Sequence, residues 1–219
     1  MTSAGRRLCS DAEAIGRGFG GPECARRRHV LQETLAAFDS ADPPDRFHRL
    51  AQLNLDRWRM DCAAVERLPF VEVHSGDWGE VTGSLTIQHG CCFAVLNMAN
   101  AHVPGGAYVE GAAAQEENMF RRTDCHFSID ERAYDCVQDR YLLPMTRKLD
   151  ALDGRVYLDV QHPRVCVRGA EDRSRPDLGY PWLPADQVFP FYELRAAAKD
   201  LRDGSPFDAP DARRRIAAQ

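Results

Sequence analysis

The sequence predicts an α/β domain, a mixed sheet flanked by helices, on three observations. Helical and strand-like periods alternate after residue 24. The run Cys91 to Leu96 is continuously apolar and of strand length, as expected of a parallel strand buried on both faces, and a Gly/Pro loop follows it. At 219 residues, with 44% hydrophobic and 28% charged residues, the chain suits one globular domain better than two.

Residues 1–24 are rich in Gly, Arg and Ser without periodicity and read as a flexible lead-in, so the domain proper spans 25–219. From Cys24 to Phe38, Val30, Leu31, Leu35 and Phe38 recur at helical spacing, and Asp42-Pro43-Pro44-Asp45 ends that helix. A second helical pattern, in one or two pieces, runs through Phe47, Leu50, Leu53, Leu55 and Trp58. These helices form an N-terminal helical extension to the sheet. Phe70 to His74 alternates like a strand, and Ser84 to Ile87 has strand character as well. After Cys91 to Leu96 and its loop comes a helix from about Ala112 through Cys125. Tyr134 to Leu149 reads as helix interrupted near Pro144. Val156–Val160, Val165–Val167 and part of Phe189–Ala198 read as strands, residues 169–187 as a long polar loop, and Ala209–Gln219 as the start of a helix.

A net charge of −5 argues against a ligand held by phosphate neutralisation, so no direct nucleic-acid binding is expected. The basic runs Arg26-Arg27-Arg28 and Arg213-Arg214-Arg215 read as solvated helix faces. No long apolar run suggests a membrane span, and no apolar leader follows Met1. The eight cysteines include no CxxC, Cys91 and Cys92 read as core thiols, and His74, His89 and nearby cysteines fit no zinc spacing. The expectation is a reduced, intracellular, cytoplasmic protein.

The informative stretch runs from Val95 to Glu117. A strand ends in Asn97 and Asn100, a Pro104-Gly105-Gly106-Ala107 turn follows, and Gln115-Glu116-Glu117 opens a helix. Ligands settle beyond the carboxyl ends of strands in open α/β sheets. Gly105 and Gly106 can take positive φ and offer N–H groups to a diphosphate. Asparagine offers a donor and an acceptor to ribose hydroxyls. Adjacent Glu116 and Glu117 point in different directions on a helix, so one can hold a sugar hydroxyl while the other faces the scissile bond. The plainer readings are acids favoured at a helix N-terminus, Asn97 as a turn residue, His102 as a solvated loop histidine, and Arg121-Arg122 as decoration of the helix.

In this register the residues resemble the microbial-type poly(ADP-ribose) glycohydrolases, a branch of the macrodomain superfamily. That family carries Pro and a glycine triplet, a short spacer and Gln-Glu-Glu; here seven residues separate Ala107 from Gln115. Leu96-Asn97-Met98-Ala99-Asn100 is similar to the family's strand end, and Glu33-Thr34-Leu35 to its opening helix. The resemblance implies a macrodomain-like fold and hydrolysis of the ribose–ribose bond of poly(ADP-ribose). It implies Glu117 as catalytic acid, with Glu116 bonded to the leaving ribose and Asn97 and Asn100 orienting the ribose beside the bond. Gly105, Gly106 and Ala107 would wrap the diphosphate and Gln115 would support the loop. Neither metal nor cofactor is implied, and the implied partner is poly(ADP-ribose) or an ADP-ribosylated protein; no oligomeric state follows. Two departures favour an alternative reading, an ADP-ribose-binding module with weak or no turnover. Ala107 replaces the third glycine and resists positive φ. The family's second glycine-rich loop and adenine-stacking aromatic, expected beyond a helix like Ala209–Gln219, do not follow, which points to a C-terminally short member.

Overall fold

The computed structural model describes residues 5–62, 71–151 and 155–198. Helices α1 (Asp11–Gly16), α2 (Pro22–Asp39), α3 (Arg46–Asp61) and α4 (Trp78–His89) precede β1 (Ala94–Met98). There follow α5 (Gln115–Arg122), β2 (Tyr134–Asp135), β3 (Arg140–Tyr141), α6 (Leu143–Leu149), β4 (Tyr157–Leu158), β5 (Arg164–Cys166) and β6 (Phe189–Ala196). β6 organises a four-stranded mixed sheet: β1 lies parallel along one edge and β4 antiparallel along the other, while β5 pairs antiparallel with its first half. β2 and β3 form a separate antiparallel pair. The expected mixed sheet flanked by helices is therefore present.

Several elements differ from expectation. The lead-in contains α1, whose Ser10 and Glu13 form a reciprocal capping box. α3 is a single helix. Ser84–Ile87 lies inside α4: Asp77 caps its start by accepting from the N–H groups of Gly79 and Glu80, and Gly90 ends it with φ 57°. Those end signals outweigh the strand preference of the β-branched residues between them. Residues 71–74 form no strand, and Phe70 lies outside the described residues. Only Leu143–Leu149 of the helix expected over Tyr134–Leu149 is helical, with Pro144 in its first turn, where a missing N–H costs nothing. Its first half is the β2–β3 pair. β1 is exposed at alternate positions rather than buried on both faces, and among the described strands it pairs only with β6. The helix expected at Ala209–Gln219 and the run Arg213-Arg214-Arg215 lie outside the described residues.

From Phe191 to Ala196 β6 alternates strictly, so Phe191, Glu193 and Arg195 all face inward. The main core joins Phe191 and Phe189 to Leu31 and Leu35 of α2, Trp58 of α3, and Met119 and Phe120 of α5. Two expected surface features are interior. Arg27 and Arg28 are buried, pairing with Glu171 and Asp11. Arg121 and Arg122 are buried as well, and Arg122 donates to the Arg168 carbonyl, Asp77 and Asn118 while lying over the Trp78 ring. The α5 arginines thus lock the helix to its neighbours instead of decorating it. Truncating Phe191, fully buried against Trp78 with ring centroids 5.6 Å apart, is expected to cost about 3–5 kcal/mol. Urea unfolding of Phe191→Ala checks this, and a loss under about 1 kcal/mol would contradict the packing.

Candidate active site

The site forms where β1 ends and α5 begins. Gln115, Glu116 and Glu117 occupy the first turn of α5, where the helix dipole favours acids, yet Glu116 and Glu117 are only 3% and 8% exposed. Buried carboxylates need donors. Glu116 Oε2 accepts from the Asn100 N–H (2.7 Å) and its Oε1 from the Gly105 N–H (3.1 Å). Glu117 Oε1 accepts from the Ala107 N–H (3.0 Å). The glycine turn therefore wraps the two acids. Gly106, at φ 57°, passes so close that a Cβ there would overlap Glu117 Oε1 and approach Glu116 Oε2.

This geometry revises the expected role of the triplet. The Gly105 and Ala107 N–H groups face the carboxylates, and the Gly106 N–H donates to the Val103 carbonyl (3.0 Å). None of the three points outward as a nest for a diphosphate. Ala107 is not among the residues at positive φ, so the strain expected from its methyl group does not arise.

The two asparagines also exchange roles. Asn100 is the turn former: its Oδ1 accepts from the N–H groups of His102 and Val103 (2.8 and 2.9 Å). Asn97 is fully buried in β1, and its Nδ2 donates to Glu193 Oε1 (2.8 Å). That bond fixes the amide orientation, because a carboxylate accepts only from the amide nitrogen. Asn97 Oδ1 is then a buried acceptor without a partner among the described residues. Gln115 braces the strand rather than the loop: it accepts from the Met98 N–H and donates to the Leu96 carbonyl, both at 2.9 Å, occupying the free edge of β1. His102 is exposed, as expected. Cys91 and Cys92 are half-buried rather than core, and burial pushes the Cys92 thiol up to about 11, which suits no nucleophile.

Beneath Asn97 lies a charged cluster that sequence reading missed. Glu193 and Arg195 form a two-point pair at 2.7 and 2.8 Å, and Arg195 also donates to Ser128 Oγ (2.7 Å). Burial works against the charge on Glu193, but Arg195 holds its carboxyl below the ordinary value. The available signal was a pair of opposite charges two residues apart in an otherwise apolar strand, which places both on one face. Burial pushes the Glu116 carboxyl up to about 8, against the Asn100 N–H bond and with the neighbouring Glu117 charge acting in the same direction. Burial thus favours the protonated form of Glu116 near neutral pH.

Two acids buried side by side at a helix start, under a glycine turn, are groups of the kind that general acid–base hydrolysis uses. Comparison with known proteins gives the class. The chain matches the family described as microbial-type PARG, catalytic domain, over residues 32–147, and it belongs to that family; it is a glycohydrolase of the poly(ADP-ribose) glycohydrolase type. Among solved structures it is similar to poly(ADP-ribose) glycohydrolase from Thermomonospora curvata, at TM-score 0.49 and 18% identity over 88% of this chain and 72% of that one. The same enzyme bound to the inhibitor ADP-HPD is similar at TM-score 0.47 and 18% identity, over 88% and 71%. No curated protein matches the chain. Among the described residues no helix is long and apolar enough to cross a membrane.

The raised Glu116 pKa has a measurable consequence. A carboxyl protonated in the folded chain and ionised in the unfolded one stabilises the fold below its unfolded value. That stability is lost as pH rises from about 4.5 to about 8. Urea midpoints across this window are expected to fall with pH in the wild type and to fall less steeply in Glu116→Gln; equal slopes would show that Glu116 titrates normally.

Proposed function

We propose that the chain hydrolyses the ribose–ribose O-glycosidic bond of poly(ADP-ribose), with Glu117 as the acid and Glu116 as its partner. The observation that carries this reading is the burial of the two acids side by side under the glycine turn, where burial favours the protonated form of Glu116. In the loaded site the proton favoured on Glu116 passes to Glu117, and Glu117 gives it to the leaving ribose oxygen as the C–O bond breaks, leaving Glu116 a carboxylate. The Glu117 carboxylate then takes a proton from water as that water adds to the oxocarbenium-like carbon. The products are the two pieces of the polymer, each with a free hydroxyl where the bond stood, and no electron transfer occurs. Glu116, as a carboxylate in the loaded site, accepts from a hydroxyl of the leaving ribose.

Asn97 orients the ribose beside the bond. Its unpartnered Oδ1 suits a ribose hydroxyl donor, and Glu193 keeps that oxygen turned away from itself. Asn100, Gly105, Gly106 and Ala107 act one step back, since their N–H groups or neighbouring peptides hold the acids. Gln115 fixes the start of α5 to β1. The substrate is poly(ADP-ribose) or an ADP-ribosylated protein, and the catalytic domain starts ahead of residue 25, since Arg6, Cys9 and Ala14 are buried in it.

Glu117→Gln tests the assignment. Turnover of poly(ADP-ribose) is expected to fall by about a thousandfold, the loss typical of removing an essential acid–base group. Calorimetry is expected to show that ADP-ribose still binds. Wild type and variant both leaving polymer intact while binding ADP-ribose would make this a binding module, and no heat at millimolar ADP-ribose would refute both readings.

A further inference from the structure

The segment before α1 places a guanidinium behind the turn that holds the two acids. Arg6 is buried, and its Nη1 donates to the carbonyl oxygens of Pro104 (3.2 Å) and Gly106 (2.6 Å). Its Nε and Nη2 form a two-point pair with Asp139, each bond 2.6 Å long. The Tyr108 ring lies 5.4 Å from the guanidinium, and Glu110 is 3.8 Å away. Asp139 is in turn held by the Tyr134 hydroxyl (2.5 Å). Gly5 sits so close to His126 that a Cβ would overlap the imidazole, so the backbone leading into Arg6 is seated as firmly as its side chain.

The two carbonyls that Arg6 grips share peptide groups with the two amides that bind the acids. The Pro104 carbonyl and the Gly105 N–H belong to one peptide plane, the Gly106 carbonyl and the Ala107 N–H to another. In a trans peptide the C=O and N–H point in opposite directions. Turning both carbonyls to Arg6 therefore turns both N–H groups away from it, and they meet Glu116 and Glu117. We propose that Arg6 is a positioning residue for the glycosidic reaction: by holding the Pro104 and Gly106 carbonyls it aims two backbone donors at Glu116 and Glu117. A cation at the carbonyl end also polarises each peptide and strengthens donation from the other end. Arg6 lies outside residues 32–147, the family-matched span, so the family motif alone does not supply this contact. The inference rests on Glu116 and Glu117 being the working pair.

The test compares wild type, Arg6→Ala, Arg6→Lys and Asp139→Asn in poly(ADP-ribose) turnover across pH, with a urea midpoint for each. In Arg6→Ala, kcat is expected to fall about tenfold or more while KM stays within about threefold, because charge-assisted bonds act here on the acids and not on the substrate. The basic limb of the kcat profile is expected to move to higher pH, since two buried carboxylates lose donors that favour their charged form. Arg6→Lys keeps the charge without the fork and recovers part of kcat; Asp139→Asn falls between. A wild-type kcat and pH profile in Arg6→Ala overturns the inference. So does a kcat loss that only follows the loss of folded protein, with the pH profile unmoved. A wild type that leaves polymer intact refutes the functional reading instead. Carboxyl ¹³C titration of Glu116 in wild type and Arg6→Ala then still decides the matter, and identical titrations overturn the role of Arg6.

Discussion

Two carboxylates cannot be buried side by side at the head of one helix unless the surrounding chain supplies donors or a proton. Much of the architecture around α5 answers that constraint. The turn from Asn100 to Ala107 gives three backbone N–H groups to Glu116 and Glu117, and burial favours the protonated form of Glu116. Glycine suits position 106 because its φ is positive and a side chain there would overlap Glu117 and crowd Glu116. The same constraint explains why the triplet tolerates Ala107: only its N–H is used here, and its φ stays in the ordinary region.

The sheet carries the second half of the site. Glu193 and Arg195 place a compact ion pair in the interior of β6, where a single unpaired charge would be costly. Asn97 completes it and is oriented by it. Helix α5 is fixed from both ends of its length: Gln115 binds the edge of β1, while Arg122 reaches Asp77 at the start of α4. Acids, amide and helix therefore share one rigid frame, and general acid catalysis depends on that kind of preorganisation.

The parts of this frame that were legible in the sequence are those written in local pattern. Val30, Leu31 and Leu35 announced α2 by spacing, the apolar strand end announced β1, and Asn97 to Glu117 announced the site through the order of its residue types. Other parts depend on partners far along the chain. Ser84–Ile87 has strand-like composition, but Asp77 and Gly90 make it helix. The turn between β2 and β3 relies on Asp139 at φ 53°, beside its pair with Arg6, and no periodicity reports that. Buried Arg27, Arg28, Arg121 and Arg122 look like surface until their partners at Glu171, Asp11, Tyr180 and Asp77 are known. The sequence does not tell Asn97 and Asn100 apart, because only the fold decides which of them reaches Glu193.

The acid pair depends on the proton that burial favours on Glu116. Carboxyl ¹³C NMR of the wild-type chain, titrated across pH with Glu116→Gln and Glu117→Gln to assign the resonances, measures it directly. The expected result is a Glu116 carboxyl that keeps its proton to about pH 8. A Glu116 resonance that titrates near the ordinary value of 4.5 would contradict it.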